Sequence, residues 1–207
     1  MRRTFEGSST LHEQRLDAVL AALLRSGAES VLDLGCGTGE LLSRLAREKQ
    51  FRNIVGVDLS LEALLEAQSS VPGAALGPSD ARVSLLQASF DCPDRSLEGF
   101  DAAALVETIE HIEPDRLSGV ERAVFGSFRP ATVIVTTPNR EYNVLHGMPE
   151  GALRHPDHRF EWTRAKLRTW ALGVGRRNGY QVRFDDIGDL DPLLGASTQM
   201  ATFRRAP

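Results

Sequence analysis

The sequence predicts an α/β fold: a doubly wound, mostly parallel sheet of seven strands, with helices on both faces and an antiparallel pair at its end. Three observations predict it. Strand-like and helix-like patterns alternate along almost the whole chain, the mark of layered α/β structure. An apolar strand runs straight into Gly35-Cys36-Gly37-Thr38-Gly39, and helical spacing resumes behind that turn. No internal repeat, low-complexity tract or linker divides the 207 residues, a length suited to one sizeable core, so residues 1–207 read as a single domain.

The elements follow in order. Residues 11–24 form an amphipathic helix, because Leu16, Val19, Leu20, Leu23 and Leu24 share one face. Residues 30–34 are a short apolar strand entering the glycines, and residues 40–48 resume helical spacing through Leu41, Leu42 and Leu45. A second buried strand at 53–57 ends at Asp58, and Ser60 caps a helix over 61–68. Residues 71–81, rich in Pro, Gly and Ala, read as a surface loop. Strands follow at 83–87, 100–105 and 132–137, with a helical stretch at 115–125 before the last. Thr163 caps a helix to residue 178, and strands at 180–187 and 199–204 close the sheet as an antiparallel pair. Only residues 138–161 show no clean period. A long irregular connection in a compact domain is functional or disordered, and its aromatic, histidine and arginine content is wrong for disorder.

Composition excludes several classes. Lys plus Arg number 24 against 28 Asp plus Glu, a net charge of −4, which argues against broad, sequence-blind polyanion binding. The cations are mostly arginine, and a local arginine cluster suffices to hold one strand end through fork-like phosphate contacts. Cys36 and Cys92 are too few for a disulfide framework and have no paired metal-ligand spacing. No apolar run approaches the roughly 20 residues of a membrane span. The start, Met1-Arg2-Arg3-Thr4-Phe5-Glu6, lacks the apolar core of a signal peptide. A cytoplasmic protein with no membrane partner is expected.

A strand ending in glycines lets the backbone pass close to a ligand without Cβ interference, and the amides at the start of the next helix face that ligand. Here the context is complete, because a second strand ends in an acid, Asp58, about 20 residues on, where a carboxylate takes ribose hydroxyls. An NAD enzyme shares that spacing. However, the turn reads Gly-x-Gly-x-Gly and Asp33 precedes it, so Val31-Leu32-Asp33-Leu34-Gly35-Cys36-Gly37-Thr38-Gly39 resembles the first motif of the class I, Rossmann-like methyltransferases. That resemblance implies S-adenosylmethionine as cofactor, with Asp33, Gly35, Gly37 and Gly39 around its amino-acid part and Asp58 on its ribose. It also implies Ser89 and Phe90, after the third strand, beside its adenine.

The fourth strand ends in Val106-Glu107-Thr108-Ile109-Glu110-His111, where substrate meets cofactor in a doubly wound sheet. Glu107, Glu110 and His111 sit at i, i+3 and i+4, one face of a helical turn. Two carboxylates and an imidazole converging there either repel one another or hold a cation between them; a solvated helix start, with acids complementing the dipole, is the plainer alternative. Mixed oxygen and nitrogen donors suit Mg²⁺ or Mn²⁺. His155 and His158 in the irregular segment are candidates for a further ligand.

Together, Glu107-x-x-Glu110-His111 and Arg154-His155-x-x-His158-x-Phe160-Glu161-Trp162-Thr163 resemble the small-RNA 2′-O-methyltransferases. These include the plant microRNA methylase and bacterial relatives in RNA repair. Val135-Thr136-Thr137-Pro138-Asn139-Arg140-Glu141-Tyr142-Asn143 and Gln14-Arg15 match as well, so the resemblance spans residues 11–185. It implies metal ligands at Glu107, Glu110, His111 and His158, a supporting or general-base role for His155, and the 3′ end of RNA as substrate. A divalent cation lowers the pKa of a ribose 2′-hydroxyl, and only a free 3′ end offers it both terminal hydroxyls. DNA lacks the accepting oxygen. Arg15, Arg140 and Arg154 are the expected phosphate contacts, with Tyr142 or Phe160 as stacking platforms. The bacterial relatives often carry an amino-terminal region that works with an RNA end-healing and sealing enzyme, so such a partner is implied by the family. No region of that size precedes the motifs here, and a methyltransferase domain alone is expected. The alternatives are a metal-dependent O-methyltransferase of a small diol and a non-catalytic cofactor-binding module.

Overall fold

The computed structural model describes residues 10–77 and 79–205; Met1 to Glu6, read above for a signal peptide, lie outside the described residues. Helix α1 (Leu11–Ser26) begins on a reciprocal cap, in which Thr10 Oγ1 accepts from the Glu13 N–H while the Glu13 carboxylate accepts from the Thr10 N–H. Strand β1 (Ser30–Leu34) leads through the glycine turn to a short α2 (Glu40–Leu45), and β2 (Asn53–Asp58) leads to α3 (Leu61–Ser70), capped by Ser60 as expected. Then come β3 (Ala74–Leu76), β4 (Val83–Gln87), β5 (Ala102–Val106), α4 (Leu117–Val120) continued as π-helical turns over Glu121–Phe128, and β6 (Thr132–Pro138). Helix α5 (Arg164–Asn178), capped by Thr163, and the strands β7 (Tyr180–Ile187) and β8 (Thr198–Arg205) complete the chain.

The strands form one sheet in the order β3-β4-β2-β1-β5-β6-β8-β7. Pairing is parallel except that β8 runs antiparallel to both β6 and β7. The doubly wound sheet with its antiparallel end is therefore as predicted, with one correction: there are eight strands, not seven. The added strand, β3, falls in the segment read as a loop. Its Ala-Ala-Leu sequence lacks the β-branched and aromatic residues that mark strands, and it forms by pairing in register with Val83–Leu85 of β4.

Alternation along the parallel strands feeds two cores. Leu32, Leu34, Val55, Val57, Leu105 and Val133 pack under α4, its extension and α5. Val31, Ile54, Val83, Leu85 and Ile134 face α1, α2 and α3. The strand order turns back at β1, whose neighbours are β2 and β5. A crevice at the carboxyl ends of those strands is where an open α/β sheet binds ligands. Among the described residues no helix is long and apolar enough to cross a membrane.

Candidate active site

Gly35, Gly37 and Gly39 all adopt positive φ, at 81°, 52° and 85°, a conformation that favours residues without Cβ. Gly35 is fixed for a second reason: a Cβ there would stand 2.5 Å from Thr108 Cγ2. A Cβ on Gly37 would meet nothing within 4 Å, so that glycine opens onto space. Asp58 ties the turn to the second strand, its Oδ2 accepting the Gly37 N–H at 2.8 Å and its Oδ1 the Ser60 N–H at 2.9 Å. Asp33 is buried beneath, and burial together with the charge of Asp58 pushes its carboxyl up to about 7. Its Oδ2 has no partner.

A cleft of about 620 Å³ opens beside this turn, lined by Gly35, Asp58, Ser89, Phe90, Glu107 and His111 among others. The predicted cofactor residues and the start of the acid–histidine cluster thus share one cavity. Two ion pairs flank it, Asp91 with Arg116 and Arg159 with Glu113, the latter at 3.1 Å.

The cluster is built where β5 ends. Glu107 has φ 50°, a left-handed conformation uncommon outside glycine, and such strain persists where surrounding structure imposes it. Here the imposing contacts are the Glu107 N–H bonds to the Thr136 carbonyl and hydroxyl oxygens of β6, at 3.2 and 3.0 Å. A 3₁₀ turn over Ile109–His111 then sends Glu110 inward and leaves His111 exposed. Burial raises the Glu107 carboxyl despite the nearby Arg15. It raises Glu110 well above the ordinary range, reinforced by the charge of Glu107. Partial desolvation at the cleft wall and the adjacent His158 lower His111. Thr137 Oγ1 donates to Glu110 Oε2 at 3.0 Å, whereas Glu107 Oε1 and Glu110 Oε1 are buried without partners among the described residues.

The irregular segment closes over this turn. The Arg159 N–H donates to the Glu110 carbonyl at 2.7 Å, which places His158 beside His111 with ring centroids 4.8 Å apart. One donor atom each from Glu110, His111 and His158 lies within 4.8 Å of the others. Glu107 is not part of that group; its Oε2 pairs with Arg15 Nη2 at 3.1 Å. His155 is exposed, 6.0 Å from the His111 ring and 5.7 Å from that of His158, and its Nδ1 accepts the Asp157 N–H.

Three side chains that support the cluster were given no role from the sequence. Glu161 is buried, and its Oε1 bonds His158 Nδ1 at 2.7 Å, leaving Nε2 of that ring for the cluster. Glu161 also accepts from Asn143 Nδ2 and the Arg154 N–H, both at 2.6 Å, and hydrogen bonding holds its carboxyl low although burial opposes it. Asn143 in turn accepts from Arg154, and Ser197 bonds His146 and Arg154. An acid three residues after a histidine was a usable signal for Glu161; Asn143 and Ser197 meet it only through tertiary contacts.

The expected RNA contacts divide. Arg154 is spent internally: Nε donates to Asn143 Oδ1, Nη1 to the Ser197 carbonyl and hydroxyl, and Nη2 to the Asn139 carbonyl, at 2.6–3.0 Å. Arg15 bonds Thr198 Oγ1 at 3.2 Å as well as Glu107. Both arginines therefore brace the walls of the site, and of the three only Arg140 is exposed. Phe160 stacks on Trp162 at 4.5 Å against the core, whereas Tyr142 lies 5.2 Å from the His146 ring.

A strand–glycine–helix cleft at the switch point of this sheet, with an acid closing the second strand, defines a class I methyltransferase domain. The chain matches the methyltransferase domain family over residues 31–131. It is 37% identical to the small RNA 2′-O-methyltransferase of Mus musculus, over 94% of this chain and 51% of that protein. The counterpart from Xenopus tropicalis is 33% identical, with 94% of this chain and 55% of that protein covered. The solved methyltransferase domain of a bacterial Hen1 is 44% identical, with a TM-score of 0.84, 96% of this chain and 100% of that chain covered. The chain belongs to the small-RNA 2′-O-methyltransferase family. It spans about half the length of the curated animal relatives it matches.

Proposed function

We propose that this chain transfers a methyl group from S-adenosylmethionine to the 2′-oxygen of the 3′-terminal ribose of RNA, with Mn²⁺ or Mg²⁺ at the acid–histidine cluster. The observation that carries this reading is the convergence of Glu110, His111 and His158 donors within 4.8 Å beside the cofactor cleft. The orphaned oxygens of Glu107 and Glu110 support it, because unpartnered buried carboxylates are costly and a cation relieves them. Oxygen and nitrogen donors without a thiolate match hard divalent ions. When bound, such an ion supplies positive charge that makes a ribose hydroxyl the better nucleophile.

The chain's own residues do the rest. Glu161 fixes the His158 ring by taking its Nδ1, so that Nε2 faces the cluster. Thr137 orients Glu110. The glycine turn and Asp58 position the methyl donor, and the 2′-oxygen attacks the methyl carbon as the sulfur–carbon bond breaks. The hydroxyl proton departs to His155, whose exposed ring borders His111 and His158. Action in RNA repair or small-RNA protection, beside an end-healing and sealing enzyme, is part of the same proposal and rests on the family resemblance.

Incubation with labelled S-adenosylmethionine, Mn²⁺ and short RNAs of defined ends tests it. Transfer is expected to a 3′-hydroxyl end and not to 3′-phosphate or 2′-deoxy ends. Equal labelling of the 2′-deoxy end, or none of the 3′-hydroxyl end, overturns the reading.

A further inference from the structure

We propose that a second, arginine-lined groove, between the end of α1 and the β7–β8 edge, binds backbone phosphates of the RNA upstream of the methylated end. The inference rests on RNA being the substrate. The groove encloses about 330 Å³, at the small end of the range for ligand clefts. Three of its seven lining residues are Arg25, Arg183 and Arg204, and none is acidic. That is unusual in a chain whose carboxylates outnumber its cations, 28 to 24.

The sheet builds this cluster. Gln181 stands opposite Arg204, and Arg183 opposite Thr202, across the antiparallel β7–β8 pair, so all four side chains share one face. Arg183 and Arg204 are diagonal neighbours there, near enough for both to reach one anion. Arg183 directs Nε and Nη2 to Asp185. The side chains of Arg25 and Arg204 have no hydrogen-bond or ion-pair partner among the described residues. Placement in the last turn of α1 accounts for Arg25 through the helix dipole; it accounts for neither strand arginine.

A phosphodiester fits this groove better than an acidic protein surface. The guanidinium forks match phosphate oxygens, the amide of Gln181 and hydroxyl of Thr202 add neutral donors, and the site is concave. Its position suits a strand leaving the active site. Arg15 braces Glu107 near the start of α1 and Arg25 lines the groove near its end, about 15 Å along the helix. That span is a few nucleotides of extended chain.

The test compares a trinucleotide with a dodecanucleotide, both single-stranded RNA with a 3′-hydroxyl end, against the protein loaded with S-adenosylmethionine and Mn²⁺. The charge-reversed double variant R25E/R204E is expected to weaken dodecanucleotide binding about tenfold or more and to reduce the slope of log affinity against log salt by about 1.4, the share of two phosphate contacts. Trinucleotide affinity is expected to stay within about twofold of the parent. The charge-matched variant R122E/R176E, on helices of the sheet face opposite α1, controls for net charge. Unchanged dodecanucleotide affinity in R25E/R204E overturns the proposal and leaves an acidic protein as the occupant, and so does an equal loss in R122E/R176E. Failure of the parent to methylate either RNA overturns the RNA reading itself, separately from the groove.

Discussion

Asp33 sits fully buried below the glycine turn with one oxygen unpartnered, and its carboxyl titrates at about 7, against 3.8 when unperturbed. Between those two pH values the folded state binds a proton that the unfolded chain has released, so this group lowers stability progressively as pH rises from about 4 to about 7. The neutral, near-isosteric Asp33→Asn should therefore gain on the parent as pH rises, by a few kcal/mol at most. Urea unfolding of the cofactor-free protein at pH 5 and pH 8 measures the gap between parent and variant. A gap of the same size at both pH values would show that Asp33 carries no such burden. The same local reading succeeds and fails elsewhere for a physical reason. Glu110 and His111 were singled out because an acid–histidine spacing within one turn is local and chemically distinctive, whereas His158, far along the chain, was chosen over His155 only by the family resemblance. Arg15 and Arg154 were expected at phosphates; in the structure Arg15 meets the Glu107 carboxylate and Arg154 the oxygens of Asn139, Asn143 and Ser197, partners that only tertiary structure decides.

Elements were legible where their pattern was intrinsic and obscure where pairing alone made them. All seven expected strands form, the five parallel ones as short, mainly apolar runs bounded by turns, whereas β3 exists through its register with β4. The irregular segment contains a 3₁₀ turn over Arg140–His146 that starts at Asn139, whose side chain accepts from the Glu141 N–H. Such turns carry no long period to read. At the junction of β1 and α2 the constraint is steric and specific. Gly35 combines φ of 81° with a forbidden approach of 2.5 Å to Thr108, so Gly35→Ala should cost roughly 2–4 kcal/mol, from left-handed strain and overpacking together. Adding Thr108→Ser, which removes the clashing Cγ2, should recover part of that loss and leave the strain term. Equal destabilisation in the single and double variants, measured by denaturant midpoints, would refute the contact as the cause.

Across the whole molecule, the glycine turn and the acid–histidine cluster meet because β1 and β5 are adjacent parallel strands whose carboxyl ends lie side by side. The turn after β1 and the turn after β5 touch at Gly35 and Thr108, and Glu107 and His111 line the same cleft as Asp58 and Phe90. The cofactor and cation proposed above would sit on either side of this wall, close enough to couple electrostatically. S-adenosylmethionine carries a positive sulfonium, whereas its demethylated thioether product is uncharged there, and like charges in a partly desolvated cleft repel. Cation affinity should accordingly be about fivefold or more tighter with the product bound than with S-adenosylmethionine, a coupling of about 1 kcal/mol. By reciprocity, Mn²⁺ should weaken S-adenosylmethionine relative to product by the same factor. Calorimetric titration of Mn²⁺ into the two complexes reads the first effect, and cofactor titration with and without Mn²⁺ reads the second. Identical affinities in both directions would mean that the cluster and the cleft, though joined through Glu107 and His111, are electrostatically insulated from one another.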